Sequence, residues 1–304
     1  MQHERPILIT GMPRSGTTWV GRIISNAPSV GYVHEPFNIT RGRCACGIYF
    51  DKWFYYINSE NEERFHKHIE HVVGSSTNRF KLLNVVFDLR RTKSLRPAKT
   101  YIKQLWATRA VVKDPLAACS TAWMSSTFNM NAIVMVRHPA AVVSSYKKLG
   151  WSHPFSHFLA QPLLMRDYLN PFADEIREFV HGDPDIVDQA ALLWKLIYYV
   201  LQKQSALHDE WIILRYENLS ANVEAGFRAL FQKLGLTLTN HVHHKIQKTN
   251  SVPYPRSSAN PYSILRNSEK MIWRWKSLLS HDEIERVRAR VGDVANAYYS
   301  DDDW

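Results

Sequence analysis

Short runs of β-branched and aliphatic residues alternate along the chain with longer stretches whose apolar positions recur every three to four residues. Ile7–Thr10, Leu82–Phe87, Ala110–Lys113, Ala132–Val136 and Trp211–Leu214 read as strands. Thr17–Asn26, Leu116–Ser125, Ala140–Leu149, Ile186–Leu207 and Asn222–Leu234 carry the helical period. A last helix begins at Ser280, where Ser280 and Glu283 have capping-box spacing, and runs toward Tyr298. This alternation predicts βαβ units, hence an α/β fold with a central parallel sheet flanked by helices. Segments 38–80 and 151–183 break the alternation. They are expected as insertions over the sheet within a single domain spanning 1–304. Residues 249–267, with three prolines, predict a long loop.

Composition places the chain among ordinary globular proteins, with 304 residues, 45% hydrophobic and 22% charged. Lys and Arg number 38 against 28 Asp and Glu, a formal net charge of +10, which favours an anionic partner. Nucleic acid is not the expected one, because no helix-turn-helix, RNA-binding or zinc-finger pattern accompanies the charge. Cys44, Cys46 and Cys119 are too few for a disulfide scaffold. Cys44 and Cys46 would need borrowed ligands to hold a metal, and none is expected. Met1–Arg5 is polar and leads straight into a strand, with no apolar signal region. The longest oily stretch, Ala190–Leu201, is broken by Lys195 and is shorter than the roughly 20 residues that cross a bilayer. The expectation is a soluble, cytoplasmic protein without a membrane span, in which the sequons at Asn38 and Asn218 carry no glycan.

The densest chemistry lies in Ile9-Thr-Gly11-Met-Pro-Arg14-Ser-Gly16-Thr-Thr18-Trp19, a strand that runs through a glycine-bracketed turn into a helix. Glycines let the backbone approach an anion, and the N–H groups of a helix start point at it. Gly11, Gly16 and Thr18 fit the nucleotide-binding template G-x-x-x-x-G-K-[ST], but Thr17 stands where the lysine should be. That lysine serves the β- and γ-phosphates. Its absence argues against nucleoside-triphosphate turnover. The loop keeps the means to cradle one 5′-phosphate and a neighbouring anionic group, with Arg14 as the cation.

Pro13-Arg14-Ser15-Gly16-Thr17-Thr18-Trp19 resembles the 5′-phosphosulfate loop of sulfotransferases that use 3′-phosphoadenosine-5′-phosphosulfate (PAPS). Arginine at position 14 looks like the bacterial and carbohydrate-type branches, where cytosolic members carry lysine. The resemblance implies a P-loop-NTPase-like sulfotransferase fold, PAPS as co-substrate, adenosine 3′,5′-bisphosphate (PAP) as product, and no metal. Arg14, Ser15, Gly16, Thr17 and Thr18 would hold the phosphosulfate, and Trp19 would stack on the adenine, since every base has a π-face. Arg137, at the end of a buried strand, and Ser145, eight residues on, are similar to the family's 3′-phosphate motif. Ligands of open α/β sheets gather at such strand ends, and Pro139 suits the first turn of the helix between them. Leu214-Arg-Tyr216-Glu-Asn-Leu219 resembles the segment whose tyrosine approaches the adenine. Core packing is the alternative for Trp19 and Tyr216. Arg266 stands as a second 3′-phosphate ligand, although the family's Arg-Lys-Gly string is absent around it. Trp273 and Trp275 read as packing residues. The likeness runs from about residue 6 to 280.

Sulfuryl transfer asks for in-line positioning, positive charge on the leaving oxygens and a base for the acceptor proton. Tyr32-Val-His34-Glu35-Pro36-Phe37 lies where a second strand should end, so His34 and Glu35 are both candidate bases. The Glu-Pro pair resembles carbohydrate-type sulfotransferases, in which a glutamate is the base, and puts Glu35 first. Pro36 is expected to hold Glu35 extended; as a base it would need burial to raise its pKa toward neutrality, and the sequence does not show that burial. A turn residue paired with an arginine is the alternative. Lys113, in Val111-Val-Lys-Asp-Pro115, resembles the family lysine that steadies the bridging oxygen, with Arg14 sharing that role. Its alternative is a structural Lys113–Asp114 neighbourhood.

Tyr49–Tyr56 and residues 151–183 are candidate acceptor walls, with core packing the competing reading of their aromatics. Arg90, Arg91, Lys93, Arg96, Lys99 and Lys103 read as a solvated face, with attraction of an acidic polymer as the alternative. His66, His68 and His71 read as one face of a solvated helix rather than a metal set. The expected activity is PAPS-dependent sulfation of a hydroxyl, with an amine second, on a saccharide or polar small-molecule acceptor. A P-loop small-molecule kinase and a catalytically inactive nucleotide- or glycan-binding module are the competitors.

Overall fold

The computed structural model of the chain describes residues 5–41, 47–74, 107–251 and 272–304. Strands β1 (Ile7–Gly11), β2 (Val30–His34), β3 (Arg109–Lys113), β4 (Asn131–Val136) and β5 (Ile212–Arg215) form one parallel sheet in the order β2-β3-β1-β4-β5. β1 and β3 are buried along their whole length. Being covered on both faces, they read as near-continuous apolar runs rather than alternating ones. Leu8, Val112 and Val134 face one core, while Ile7, Ile9, Val111, Ile133 and Met135 face the other.

The helices in chain order are α1 (Thr17–Ile24), α2 (His66–Val73), α3 (Thr121–Thr127), α4 (Pro139–Leu149), α5 (Ala173–His181), α6 (Ile186–Ser205), α7 (Tyr216–Ala221), α8 (Val223–Lys233), α9 (Asn240–Ser251) and α10 (His281–Ala295). On one side, Val142 and Val143 of α4, Leu193 and Ile197 of α6, and Val287 and Val291 of α10 close over Leu8 and Val134. On the other, Val20 and Ile23 of α1, Phe227 and Leu230 of α8, and Val242 and Ile246 of α9 close over Ile7 and Ile9. Because the chain steps from β3 across β1 to β4, the carboxyl ends of these three strands form the switch-point crevice where such sheets bind ligands.

The expected strands and the sheet's parallel sense are present to within a residue or two, apart from Leu82–Phe87. That segment lies outside the described residues, as do Arg90–Lys103, Cys44, Cys46 and Arg266. The helix expected at Leu116 starts later. Asp114 accepts a hydrogen bond from Leu116 N at 2.9 Å and Pro115 opens the turn, so Pro115–Ser120 winds as a 3₁₀ helix before α3. The loop expected from 249 also starts later, because α9 carries the chain to Ser251. The helix expected over Asn222–Leu234 is α8, with α7 inserted directly after β5. At Ser280 the capping box is formed in both directions: Glu283 N donates to Ser280 Oγ at 3.2 Å, and Ser280 N donates to Glu283 Oε2 at 2.8 Å. Among the described residues no helix is long and apolar enough to cross a membrane.

Candidate active site

The loop between β1 and α1 turns where two glycines take positive φ, Gly11 at 127° and Gly16 at 98°. At Gly11 a Cβ would lie 2.2 Å from Met135 O, so no other residue fits beside β4. Ser15 N closes back onto Met12 O at 3.1 Å, and Trp19 N and Val20 N bond Gly16 O. The leading N–H groups of α1 therefore head a first turn open to the crevice. α6 braces the loop from behind. Tyr198 donates its hydroxyl to Met135 O at 2.7 Å and accepts from Met12 N at 3.4 Å, while Trp194 Nε1 donates to Arg137 O at 3.0 Å. Arg14, itself at φ 74°, sends its Nε to Ser145 Oγ at 2.9 Å and lies 5.7 Å from the Trp151 ring.

At the neighbouring strand ends, Lys113 forms an ion pair with Glu35. Lys113 stands beside Ile9 in the register, and its stem runs past α1 where a Cβ on Gly21 would come within 3.1 Å of Lys113 Cγ. Gly21 thus gives the lysine its path, and the Lys113 side chain is only 1% exposed. Glu35 keeps the last sheet bond, N to Lys113 O at 2.9 Å, then turns sharply, with Asn38 N returning to Glu35 O at 3.2 Å. Its φ is +49°, so the expectation of an extended residue before Pro36 is wrong. The 35–38 turn wins over the pre-proline preference, because Asp114 Oδ2 takes Phe37 N at 2.6 Å and ties the turn to the start of the 3₁₀ helix.

The raised pKa that a base at Glu35 would need is not found. Burial pushes its carboxyl upward, but the Lys113 and His34 charges and hydrogen bonds from Lys113 and Asn38 outweigh it and hold the pKa below the ordinary value. Asn38 Nδ2 donates to Glu35 Oε2 at 2.8 Å. The carboxyl that burial does raise is Asp114. Fully enclosed and close to the Glu35 charge, it is pushed up to about 7 despite its two backbone bonds. His34 stacks on Tyr32 with ring centroids 5.8 Å apart.

Arg137, 6% exposed, donates from Nη1 to Arg14 O at 2.9 Å, and its guanidinium lies 4.7 Å from the Tyr216 ring. Arg137 and Ser145 therefore both meet at Arg14, one through its carbonyl and the other through its guanidinium. Tyr216 is fully buried and Trp19 is 6% exposed, packed edge-on against Tyr216 and Phe227 at 5.8 and 5.3 Å. In this structure both rings serve the core. Trp275 is also a packing residue, stacked on His138 at 4.7 Å, but Trp273 is 45% exposed, against its expectation. His138 follows Arg137 inside an aromatic surround that includes Tyr299 and Trp304, and burial lowers its pKa to about 3. Nothing in the sequence pattern singled out His138, Gly21 or Asn38 for these roles.

A cavity of about 460 Å³ opens over this set. Arg14, Thr17, Thr18 and Glu35 form its floor, and Trp53, Phe54, Trp151 and His153 rise around it. Residues 53–56 and the short helical turns between Ser156 and Leu169 lock together to build that wall. Trp53 N donates to His157 Nδ1 at 3.0 Å, Tyr56 N to Gln161 Oε1 at 2.9 Å, and Tyr56 OH to Asp167 Oδ2 at 2.9 Å. Burial and nearby Lys52 hold the His157 pKa down, which suits its accepting role. Half of the rings of 49–56 are core, with Phe50, Phe54 and Tyr56 buried and Phe50 stacked on Phe37 at 4.2 Å, while Trp53 and Tyr55 are partly buried and Tyr49 is exposed. His66, His68 and His71 lie on α2, whose Ile69, Val72 and Val73 are buried. No metal-binding group of His, Cys, Asp or Glu occurs among the described residues.

Fold and site together put a strand–helix loop without the P-loop lysine beside a paired carboxylate and lysine at the strand ends of a parallel α/β sheet. The sulfotransferase family matches residues 6–240, and the chain belongs to that family, whose reaction is sulfuryl transfer. Mouse carbohydrate sulfotransferase 1 is 33% identical over 99 residues, which are 30% of this chain and 24% of the mouse protein. The chain thus spans about a quarter of that relative's length. The sulfotransferase domain from the curacin biosynthetic pathway superposes with a TM-score of 0.49 at 13% identity, covering 95% of this chain and 97% of that one. Mouse sulfotransferase SULT7A1, solved with PAP, gives 0.48 at 12%, covering 99% and 87%.

Proposed function

We propose that this protein moves the sulfuryl group of PAPS to a hydroxyl of a saccharide or polar small molecule and releases PAP. The observation that carries the reading is the meeting of Arg14, Thr17, Thr18 and Glu35 on one cavity floor, with Lys113 paired to Glu35 at its edge. Arg14 and the leading N–H groups of α1 receive the 5′-phosphosulfate, and Arg137 with Ser145 receives the 3′-phosphate. The sulfur–oxygen bond to the phosphate breaks and its electron pair stays on the phosphate. A new sulfur–oxygen bond forms to the acceptor, whose proton passes to Glu35. Arg14 and Lys113 stabilise the charge that grows on the leaving oxygen. The leaving phosphate is already a stable anion, so the reaction needs no metal.

Trp53, Phe54 and Trp151, interleaved with Asn38, Thr40 and Ser152, offer flat faces and hydrogen-bonding edges. That combination suits a sugar ring or another flat hydroxylated molecule, and it supports reading the insertions near 38–80 and 151–183 as the acceptor-binding part of one domain. Incubation with sulfur-35-labelled PAPS and pooled sugars, phenols and amines tests the reading. Label should appear on a hydroxylated acceptor with stoichiometric PAP, and loss of label to none of the pools would reject it.

A further inference from the structure

We propose that the Lys113–Glu35 ion pair is a donor-released latch: the anionic end of the bound donor draws the Lys113 ammonium away from Glu35 and frees that carboxylate to take the acceptor's proton. The inference rests on the sulfuryl-transfer reading of the same site and adds an order of events to it.

The geometry places the two halves of the latch on different strands with a shared outlet. Lys113 ends β3 beside Ile9, two residues before the loop begins at Gly11. Its stem passes Gly21, one helical turn beyond Thr18, and Thr18 lines the cavity with Glu35 and Arg14. A short swing of a flexible four-carbon stem therefore carries the ammonium from Glu35 toward the loop's anion position. Glu35 cannot follow it. Its backbone is fixed by the bond to Lys113 O, and the turn beyond it by the Asp114 clamp on Phe37 N. Asn38 Nδ2 keeps hold of one carboxylate oxygen.

The charges around Glu35 set what release does. Lys113 from β3 and His34 from β2 favour the carboxylate, whereas burial opposes it. Asp114, one residue along from Lys113, adds a like charge whenever it is ionised. Arg14 lines the same cavity from the loop and turns its guanidinium to Ser145. Remove the ammonium and burial remains, so proton affinity at Glu35 rises. The base is weak while the donor site is empty and strong once it is filled. Donor binding also has to break the ion pair, so Glu35 competes with the donor for Lys113.

Two measurements on the full chain decide it. In a carbon-13 carboxyl titration, with Glu35 assigned by Glu35→Gln, saturating PAP should raise the Glu35 midpoint by roughly one pH unit or more, a tenfold gain in proton affinity. Lys113→Met should raise the midpoint without nucleotide and leave PAP nothing further to shift. By calorimetry, Glu35→Gln should bind PAP at least about threefold more tightly than wild type, the direction expected when a competitor for the cation is removed. An unchanged midpoint in the PAP complex, or equal PAP affinity in Glu35→Gln, overturns the latch. If PAP does not bind the wild type, the sulfuryl-transfer reading fails first and takes the latch with it. A Lys113→Met midpoint equal to wild type rejects the latch even where PAP binds.

Discussion

The proposed donor side and the proposed acceptor side of the cavity are built in opposite ways. The donor side is local. Nine residues from Gly11 to Trp19 form its loop and helix start, and Lys113 and Arg137 lie at the ends of β3 and β4, the two strands that flank β1. The acceptor side is assembled at long range, by bonds such as Trp53 N to His157 Nδ1 and Tyr56 OH to Asp167, whose partners lie 104 and 111 residues apart. A site built at strand ends tolerates little change, because the sheet fixes it. A wall made of two interlocked stretches can be re-lined without disturbing the sheet, which is how one fold serves many acceptors. Substitutions on the two sides should therefore fail differently.

Glu35→Gln should give the largest effect, a fall in turnover of about 10²- to 10⁴-fold, the range for loss of a general base. Steady-state kinetics with saturating PAPS measures it, and PAP binding should not weaken. Unchanged turnover eliminates Glu35 as the base. Arg137→Ala should weaken PAP binding by roughly 10- to 100-fold, as expected for a charge-assisted hydrogen bond. Its turnover at saturating donor should change less, and the opposite split would remove Arg137 from the donor side. Gly21→Val should push on the Lys113 stem and cost about 1–3 kcal/mol of stability, the usual range for overpacking, visible as a lowered midpoint in denaturant.

Trp151→Ala sharpens the contrast with a smaller change. The acceptor KM should rise by up to about tenfold, within the range for one side chain at a binding surface, and PAP affinity should move little. A donor defect equal to the acceptor defect would merge the two sides. The smallest effect is on stability against pH. Glu35 has a folded pKa below its unfolded one. The stability from its ion pair is then fully present above the ordinary carboxylate range and is lost as pH falls through the folded value. Thermal melts should show wild type losing more stability than Glu35→Gln on acidification from neutral pH. Parallel curves would mean that the pair contributes nothing.

What was legible in the sequence follows the same division. Gly11, Arg14, Gly16, Arg137 and Lys113 were readable because strand ends and tight turns carry their chemistry in a few consecutive residues. The parallel sheet was readable because β1, β3 and β4 are covered on both faces and leave unbroken apolar runs. Glu35 could be placed at the crevice, where it lines the cavity, but its conformation and the groups that set its pKa could not be read. Both depend on distant partners, the Lys113 ammonium 78 residues from Glu35 and the Asp114 carboxylate 77 residues from the Phe37 N that it holds. Asp114 could have been suspected from a carboxylate and proline closing an apolar strand. Gly21 could not, since its role is only the space it leaves for a side chain on another strand. For Trp19 and Tyr216 the sequence left core packing and adenine contact both open, and the structure shows the packing.

Calorimetric titration of the wild-type protein with PAP and, separately, with ATP and Mg²⁺ tests the central claim most directly. The account predicts that PAP binds more tightly, because Arg14 on the loop and Arg137 after β4 serve two separate anionic ends and the loop lacks the lysine that serves a triphosphate. Preference for ATP with Mg²⁺ would contradict it.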